Sequence, residues 1–368
     1  MSEDRSLSAG EGLEAYPAPV LDYAPPRPQR YRPKIALIGC GGIAPFHVRA
    51  YQAMGLEVVA LCDRDLRRAK RLAKAHCPKA ACVRDYHEVL ARRDVPVVDI
   101  ATHPGIRATM MEDAIRAGKH VLSQKPFVTD LDRGEGLVAL AEREGVLLAV
   151  NQNGRWAPHF SWMRAAVAKG LIGRVMAAHM AVHWDHNWTA ATPFNDVHHL
   201  ILYDFAIHWF DMVTCLMGKA KPQSVYATLT RAPNQKAAPP LLAQVLVGYK
   251  QAQASLVFDA STTQGAWDTS LVAGSKGTLR SEGPDIQDQC VTLTTARGFA
   301  VPELEGRWFD EGFQGTMGEL LCAIEAGREP GNSARNNLAS LALCFAAVRS
   351  AETGLPQQPG KVRRLLEH

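Results

Sequence analysis

From Lys34 onward, short apolar runs alternate with amphipathic stretches, which is the texture of repeated β-α-β units. The runs are IALIG from Ile35, VVALC from Val58, VVDIAT from Val97, HVLS from His120 and VLLAV from Val146. Near-continuous apolarity over so few residues suits strands buried on both faces. Helical spacing fills the gaps near residues 43–54, 64–76, 105–118 and 130–144. Five or six strands wound in this way predict an α/β, doubly wound parallel sheet over residues 34–153. After Arg155 the apolar period changes to two, in RVMAAHMAVHW, SVYATLT, LLAQVLVGYK, QASLVFDAST, TSLVAG and VTLTT. That alternation predicts a large, mostly antiparallel sheet with one covered face, in an α+β domain over residues 154–368. One long helix, Ile201 to Met217, interrupts it, and helical segments at Gly315 to Gly327 and Ala334 to Gly354 close the chain. Residues 1–33 hold Pro17, Pro19, Pro25, Pro26, Pro28 and Pro33 and lack an apolar period. They read as an arm, either loose or laid across a neighbouring subunit.

Composition narrows the class. The 368 residues are 47% hydrophobic and 21% charged, enough apolar side chain for two cores and too much for wholesale disorder. A net charge of +4 with no basic run argues against a nucleic-acid or anionic-membrane partner. The eight cysteines form no C-x-x-C pair and read as buried thiols of a reducing compartment. The acidic N-terminus lacks the apolar segment of a secretory signal, and Asp204, His208 and Asp211 interrupt the most apolar stretch, Leu200 to Met217. A cytoplasmic, non-membrane protein is the expectation.

The first chemical signal is Gly39-Cys40-Gly41-Gly42-Ile43-Ala44, where a strand runs into a glycine turn and then a helix. Gly39 permits the tight turn, Gly41 lets a pyrophosphate approach, and Ala44 stands where a third glycine would allow close packing. The helix's first N–H groups then face the phosphates. Asp63 ends the next strand, 24 residues after Gly39, near the spacing at which a carboxylate takes the adenosine ribose hydroxyls. This favours NAD; NADP is disfavoured, although Arg64 alongside could accommodate a 2′-phosphate. Lys125, in GKHVLSQKP, leaves the carboxyl end of a strand and is aimed by the following Pro126. A lysine there can hydrogen-bond an alcohol oxygen during hydride loss. In the long helix, Asp204, His208 and Asp211 stand at i, i+4 and i+7, on one face. The expectation is that Asp204 orients His208, which accepts the hydroxyl proton. Six histidines fall between His179 and His208, yet no HExxH or Cys/His framework accompanies them, so no metal is assigned. Trp184, His186 and Trp188 suit an aromatic pocket for sugar hydroxyls and ring faces.

In combination these motifs resemble the glucose-fructose oxidoreductase / inositol dehydrogenase / MocA family. The resemblance runs from residue 34 to about 355 and rests on GCGGIA, Asp63, GKHVLSQKP, NQNGRWAP at 151–158, DFAIH at 204–208 and GSKGTL at 274–279. It implies an N-terminal Rossmann domain, a C-terminal domain on an open antiparallel sheet, and homodimers or homotetramers formed through that sheet. It also implies NAD(P)-dependent oxidation of a secondary alcohol, with the family's Lys, Asp and His falling on Lys125, Asp204 and His208. Thr102, His103, Gln124 and Asn153 join Gly39, Gly41, Gly42, Ile43, Asp63, Arg64 and Lys125 as cofactor contacts. The implied substrate contacts are Asn153, Arg155, Trp184, His186, Asp204 and His208. The family's usual Glu-Lys-Pro is Gln124-Lys125-Pro126 here, replacing a charged ribose contact with a neutral amide. The proline-rich arm, by analogy, covers a partner's cofactor site and implies a tightly held NAD. The expected substrate is a neutral sugar, glycoside or cyclitol, with C3 of a glucosyl unit among the candidate positions. The alternatives are a redox-cycling enzyme that eliminates or epimerises a glycoside, and a non-catalytic NAD-binding sensor.

Overall fold

The computed structural model describes residues 13–365. The first half is β1 (Lys34–Ile38), α1 (Ala44–Ala53), β2 (Glu57–Cys62), α2 (Leu66–His76), β3 (Ala81–Val83), α3 (Tyr86–Leu90), β4 (Val97–Ile100), α4 (Pro104–Arg116), β5 (His120–Gln124), α5 (Leu131–Arg143) and β6 (Leu148–Asn151). The six strands are parallel, in the order β3-β2-β1-β4-β5-β6. This is the doubly wound order, and its switch point lies between β1 and β4. Period two is visible within β1: Ile35 and Leu37 enter the core on one face, Ala36 and Ile38 the core on the other.

The second half holds α6 (Pro158–Ala168), β7 (Val175–His183), α7 (Ile207–Met217), β8 (Pro222–Thr230), β9 (Leu242–Tyr249), β10 (Gln253–Asp259), β11 (Asp268–Gly274), β12 (Gly277–Asp285), β13 (Asp288–Thr295), β14 (Gly298–Ala300), α8 (Trp308–Ala326) and α9 (Ala334–Thr353). Its sheet runs β14-β13-β12-β11-β7-β10-β9-β8, and only the β7–β10 pair is parallel. Ala254, Leu256 and Phe258 face inward from β10, whereas Tyr226, Leu246 and Leu271 stand exposed on the sheet.

Several expectations change. The final helices belong to the first half as much as the second: Phe313, Met317, Leu320 and Leu321 of α8 share a core with Ile35, Leu37 and Val97. Trp308 and Phe313 are both buried on that helix: Phe313 lies in the core shared with Ile35 and Leu37, and Trp308 packs against Phe160, His208 and Trp209. The expected helix from Ile201 is broken, with a π turn over Leu200–Phe205 preceding α7. The arm, over its described residues, is not loose but lies against its own chain. Tyr16 N–H donates to the Phe299 carbonyl (2.9 Å), Ser161 Oγ to the Tyr23 carbonyl (2.7 Å), and the Gln29 and Tyr31 amides to Glu325 (2.8 and 2.9 Å). The arm's extended backbone finds hydrogen-bond partners on distant segments of the folded chain, so it needs no apolar period of its own. The cysteines are all free, but Cys290 is exposed and only Cys40, Cys62 and Cys344 are fully buried. Among the described residues no helix is long and apolar enough to cross a membrane.

Candidate active site

The sequence-predicted cofactor residues converge at the carboxyl ends of the parallel strands. Gly39 follows β1 with φ +102°, and a Cβ there would stand 2.7 Å from the Ala101 carbonyl at the end of β4. Only glycine lets these two strand ends meet at the switch point. Gly41 and Gly42, by contrast, face open space. The N-terminus of α1 has no side-chain cap and no acidic residue in its first turn; the Ala44 and Phe46 amides donate to the Gly41 and Ile43 carbonyls and Pro45 has no N–H, so an anion there would meet the Gly41, Gly42 and Ile43 amides of the turn. Asp63, at the end of β2, accepts from Cys40 N–H at 2.9 Å and from Asp65 N–H at 2.8 Å. It therefore braces the glycine turn while its remaining lone pairs can serve a ribose. Arg64 and His103 are exposed on either side, and Thr102 is half-buried. These features fit a dinucleotide.

Gln124 ends β5 beside a buried polar chain. Asp99 of β4 accepts from His47 Nδ1 at 2.6 Å and from Tyr51 Oη, with all three side chains fully buried. His47 Nε2 lies 3.4 Å from Asn151 Nδ2, which donates to Gln124 Oε1 at 2.7 Å. The chain thus turns the Gln124 oxygen inward and leaves its NH2 as the end for a ligand. His47 was legible as a polar residue on the buried stripe of α1, with Ala44, Val48 and Tyr51.

Lys125 Nζ donates to Asp204 Oδ2 and to the Asp204 carbonyl, both at 2.9 Å. The pair is mostly buried, with 15% and 14% side-chain exposure, and the ammonium lies 5.9 Å from the Phe205 ring centre. The expected Asp204–His208 pairing is corrected: the π turn takes Asp204 out of α-helical register, and its carboxylate goes to Lys125. His208 opens α7 nearby, its ring edge-on to Trp308 at 5.6 Å and its Nδ1 buried without a partner. Burial, and then the Lys125 charge, hold its imidazole well below the usual histidine range. Its ring is neutral at neutral pH.

Asp211, expected on the same face, points elsewhere. Its carboxylate takes Arg155 Nε at 2.5 Å and Nη2 at 2.7 Å, with Ser340 Oγ donating at 2.9 Å. Arg155 also donates to the Gly331 carbonyl and is 5% exposed. The expected substrate contact by Arg155 is corrected accordingly: its guanidinium is committed to the protein, since a buried carboxylate is the stronger partner. Asn153 is buried in a 3-10 turn, Asn153–Trp156, that faces a glycine ridge on α8. A Cβ on Gly312 would stand 2.7 Å from the Asn153 carbonyl, and one on Gly315 would strike Trp156.

The far wall is aromatic. His186 is buried, stacked on Trp184 at 5.1 Å and edge-on to Phe205 at 4.4 Å, and burial pushes its imidazole down to about 4. Trp184 is half-buried against Trp209, while Trp188 is exposed and packs on Phe194 and Phe205. The other histidines disperse: His179 bonds Ser255, His183 faces Asp259 and the Trp267 carbonyl, and His199 pairs with Glu352. Among the described residues no group of three or more His, Cys, Asp or Glu side chains could hold a metal ion.

Residues 33–152 match the family described as oxidoreductase family, NAD-binding Rossmann fold, and residues 160–280 match the GFO/IDH/MocA C-terminal domain. The chain is 29% identical over 340 residues to a D-apiose dehydrogenase of Paraburkholderia graminis, covering 87% of this chain and 88% of that protein. It is 28% identical to an inositol 2-dehydrogenase of Rhizobium meliloti, covering 86% and 96%. An oxidoreductase of Agrobacterium radiobacter, solved with NAD+, L-tartaric acid and magnesium, superposes with a TM-score of 0.81 at 22% identity, over 90% of this chain and 99% of that one.

Proposed function

The chain belongs to the glucose-fructose oxidoreductase, inositol dehydrogenase and MocA family of NAD-binding oxidoreductases, and from that premise we propose that it oxidises a secondary hydroxyl of a neutral sugar, glycoside or cyclitol. The observation that carries the reading is the Lys125–Asp204 pair at 2.9 Å, at the carboxyl edge of the sheet and beside neutral His208. Gly39, Gly41, Ile43, Asp63 and Gln124 would hold NAD, which supplies the hydride acceptor when bound. Asp63 favours the unphosphorylated ribose, so NAD is preferred over NADP.

Lys125 donates a hydrogen bond to the substrate oxygen and stabilises the alkoxide-like charge that develops on it. Asp204 keeps the ammonium aimed and neutralises it in the resting site. The hydroxyl proton passes to His208, which burial keeps unprotonated below its ordinary 6.5, so the acid limb of the oxidation lies below that value. His186, Trp188 and Phe205 offer ring faces and a polar edge to a carbohydrate. With Arg155 neutralised by Asp211, no free guanidinium among the assigned substrate residues calls for an anionic sugar. The exposed Tyr226, Leu246 and Leu271 on the second sheet suit self-association of copies through that face.

The test is NADH formation by the full chain with NAD and a panel of D-apiose, inositols and neutral glycosides. Turnover of at least one member is expected, with Lys125→Met lowering kcat about 1,000-fold and leaving NAD affinity within about threefold. Undiminished turnover in that variant would remove Lys125 from the reaction.

A further inference from the structure

A second buried arginine lies beneath the site, and no carboxylate among the described residues pairs with it. Arg107, in the first turn of α4, is 1% exposed. Its Nε and Nη2 donate to the Thr102 carbonyl at 3.0 and 2.6 Å. Its Nη1 donates to the Pro126 carbonyl at 2.6 Å and also to the Gln124 carbonyl. One guanidinium therefore holds three backbone carbonyls on two segments. Thr102 follows β4 on the cofactor side, and Gln124 and Pro126 flank Lys125.

Burying a cation without a carboxylate in direct contact is costly, and burial pushes the Arg107 guanidinium down to about 10. Met111, Ala114 and Ile115 continue the same stripe of α4 with apolar side chains, so packing alone does not require an arginine at this position. What the guanidinium adds is a rigid, planar fork that can span two strand ends, which a lysine ammonium or a methyl group cannot. Lys125 needs such help: its peptide has left the sheet ladder after Gln124, and its flexible side chain is only as well aimed as the backbone that carries it.

We infer that Arg107 is a positioning residue, clamping the backbone on both sides of Lys125 to the Thr102 turn so that the ammonium stays registered against the cofactor-facing edge. This rests on the reading of Lys125 as the group that meets the substrate oxygen. It is separable from that reading, because the clamp itself can be measured without turnover.

The experiment compares Arg107→Met and Arg107→Lys in the full chain with NAD present. Hydrogen exchange followed by mass spectrometry is expected to show protection lost by about tenfold at 124–127 and 101–103, with the cores of β1 and β9 unchanged. With a panel substrate, kcat is expected to fall about 30-fold in Arg107→Met and less in Arg107→Lys, while KM and NAD affinity stay within about threefold. In a Lys125→Met background the Arg107 substitution is expected to cost under about twofold more, since the two act as a unit. Unchanged exchange at 124–127 overturns the clamp whether or not any substrate is turned over. Full additivity with Lys125→Met, or an equal loss of NAD affinity, overturns the positioning role in favour of a general structural one. If Arg107→Met does not fold, Arg107→Lys decides by the same readouts. A wild-type chain that oxidises nothing in the panel while both variants still lose protection at 124–127 would overturn the functional reading and leave the clamp standing.

Discussion

The two halves of the site are built from different materials. The cofactor side is mostly backbone: a glycine with positive φ, two glycines facing open space, an uncapped helix N-terminus and one carboxylate that braces the turn. The substrate side is mostly buried side chain: Lys125 with Asp204, Arg155 with Asp211, His208 against Trp308. Backbone N–H groups at a helix end need no counter-charge and no distant partner, so the first half folds with its own strand and helix. Buried charges need partners brought from elsewhere, and each one left alone costs several kcal/mol. Damage on the cofactor side should therefore appear first in NAD affinity, and damage on the substrate side in stability or turnover.

The sharpest way to break that contrast is Asp211→Asn, which leaves Arg155 buried without its carboxylate. A loss of about 3–5 kcal/mol in urea unfolding is expected; a loss under about 1 kcal/mol would mean that the pair is not needed to anchor the Asn153–Trp156 turn. Gly39→Ala should act on the other half. Positive φ and the close Ala101 carbonyl together should cost about 2 kcal/mol, with NAD binding weakened about tenfold as the turn moves off the helix axis. Equal NAD affinity in wild type and variant would contradict the backbone account.

Acid pH should separate the halves again, because the strongly depressed histidines, His159, His186 and His208, all lie on the substrate side. Burial pushes His159 from an ordinary 6.5 down to about 3. The unfolded chain takes up that proton first, so this stability is complete above 6.5 and is lost as the pH falls toward 3. The slope is about 1.4 kcal/mol per pH unit for each such histidine. His159→Phe should flatten the acid arm of the urea midpoint against pH, and an unaltered slope would show that His159 is not held neutral. The smallest effect belongs to Trp188→Ala. Its ring is exposed beside Phe194 and Phe205, so KM for a sugar should rise about fivefold with NAD affinity and stability unmoved; an unchanged KM would place Trp188 outside the pocket.

Much of the first half was legible because its signals are local. Glycine spacing, a strand before it, a helix after it and Asp63 at the next strand end all fall within one β-α-β unit. The second half misled at Asp204, His208 and Asp211, whose helical spacing suggested one shared face. Spacing reports which side of a helix a residue occupies, yet it assumes unbroken α geometry and does not name a partner. The π turn broke the geometry, and Lys125 and Arg155 claimed the two carboxylates from other segments. Arg107 left a trace, a charge on the apolar stripe of α4, but two of the three carbonyls it holds, those of Gln124 and Pro126, lie at the neighbouring strand end.

The chain by itself determined a parallel nucleotide-binding half, a glycine turn, a carboxylate at the end of the next strand and a lysine at a strand end, because each depends on periodicity or spacing within a few tens of residues. Tertiary structure alone decided which charges pair, where the arm lies, and that α8 joins the first core to the Asn153–Trp156 turn. Those outcomes turn on contacts such as Lys125 with Asp204, 79 residues apart. A buried charge is satisfied by whichever partner the fold brings within about 3 Å.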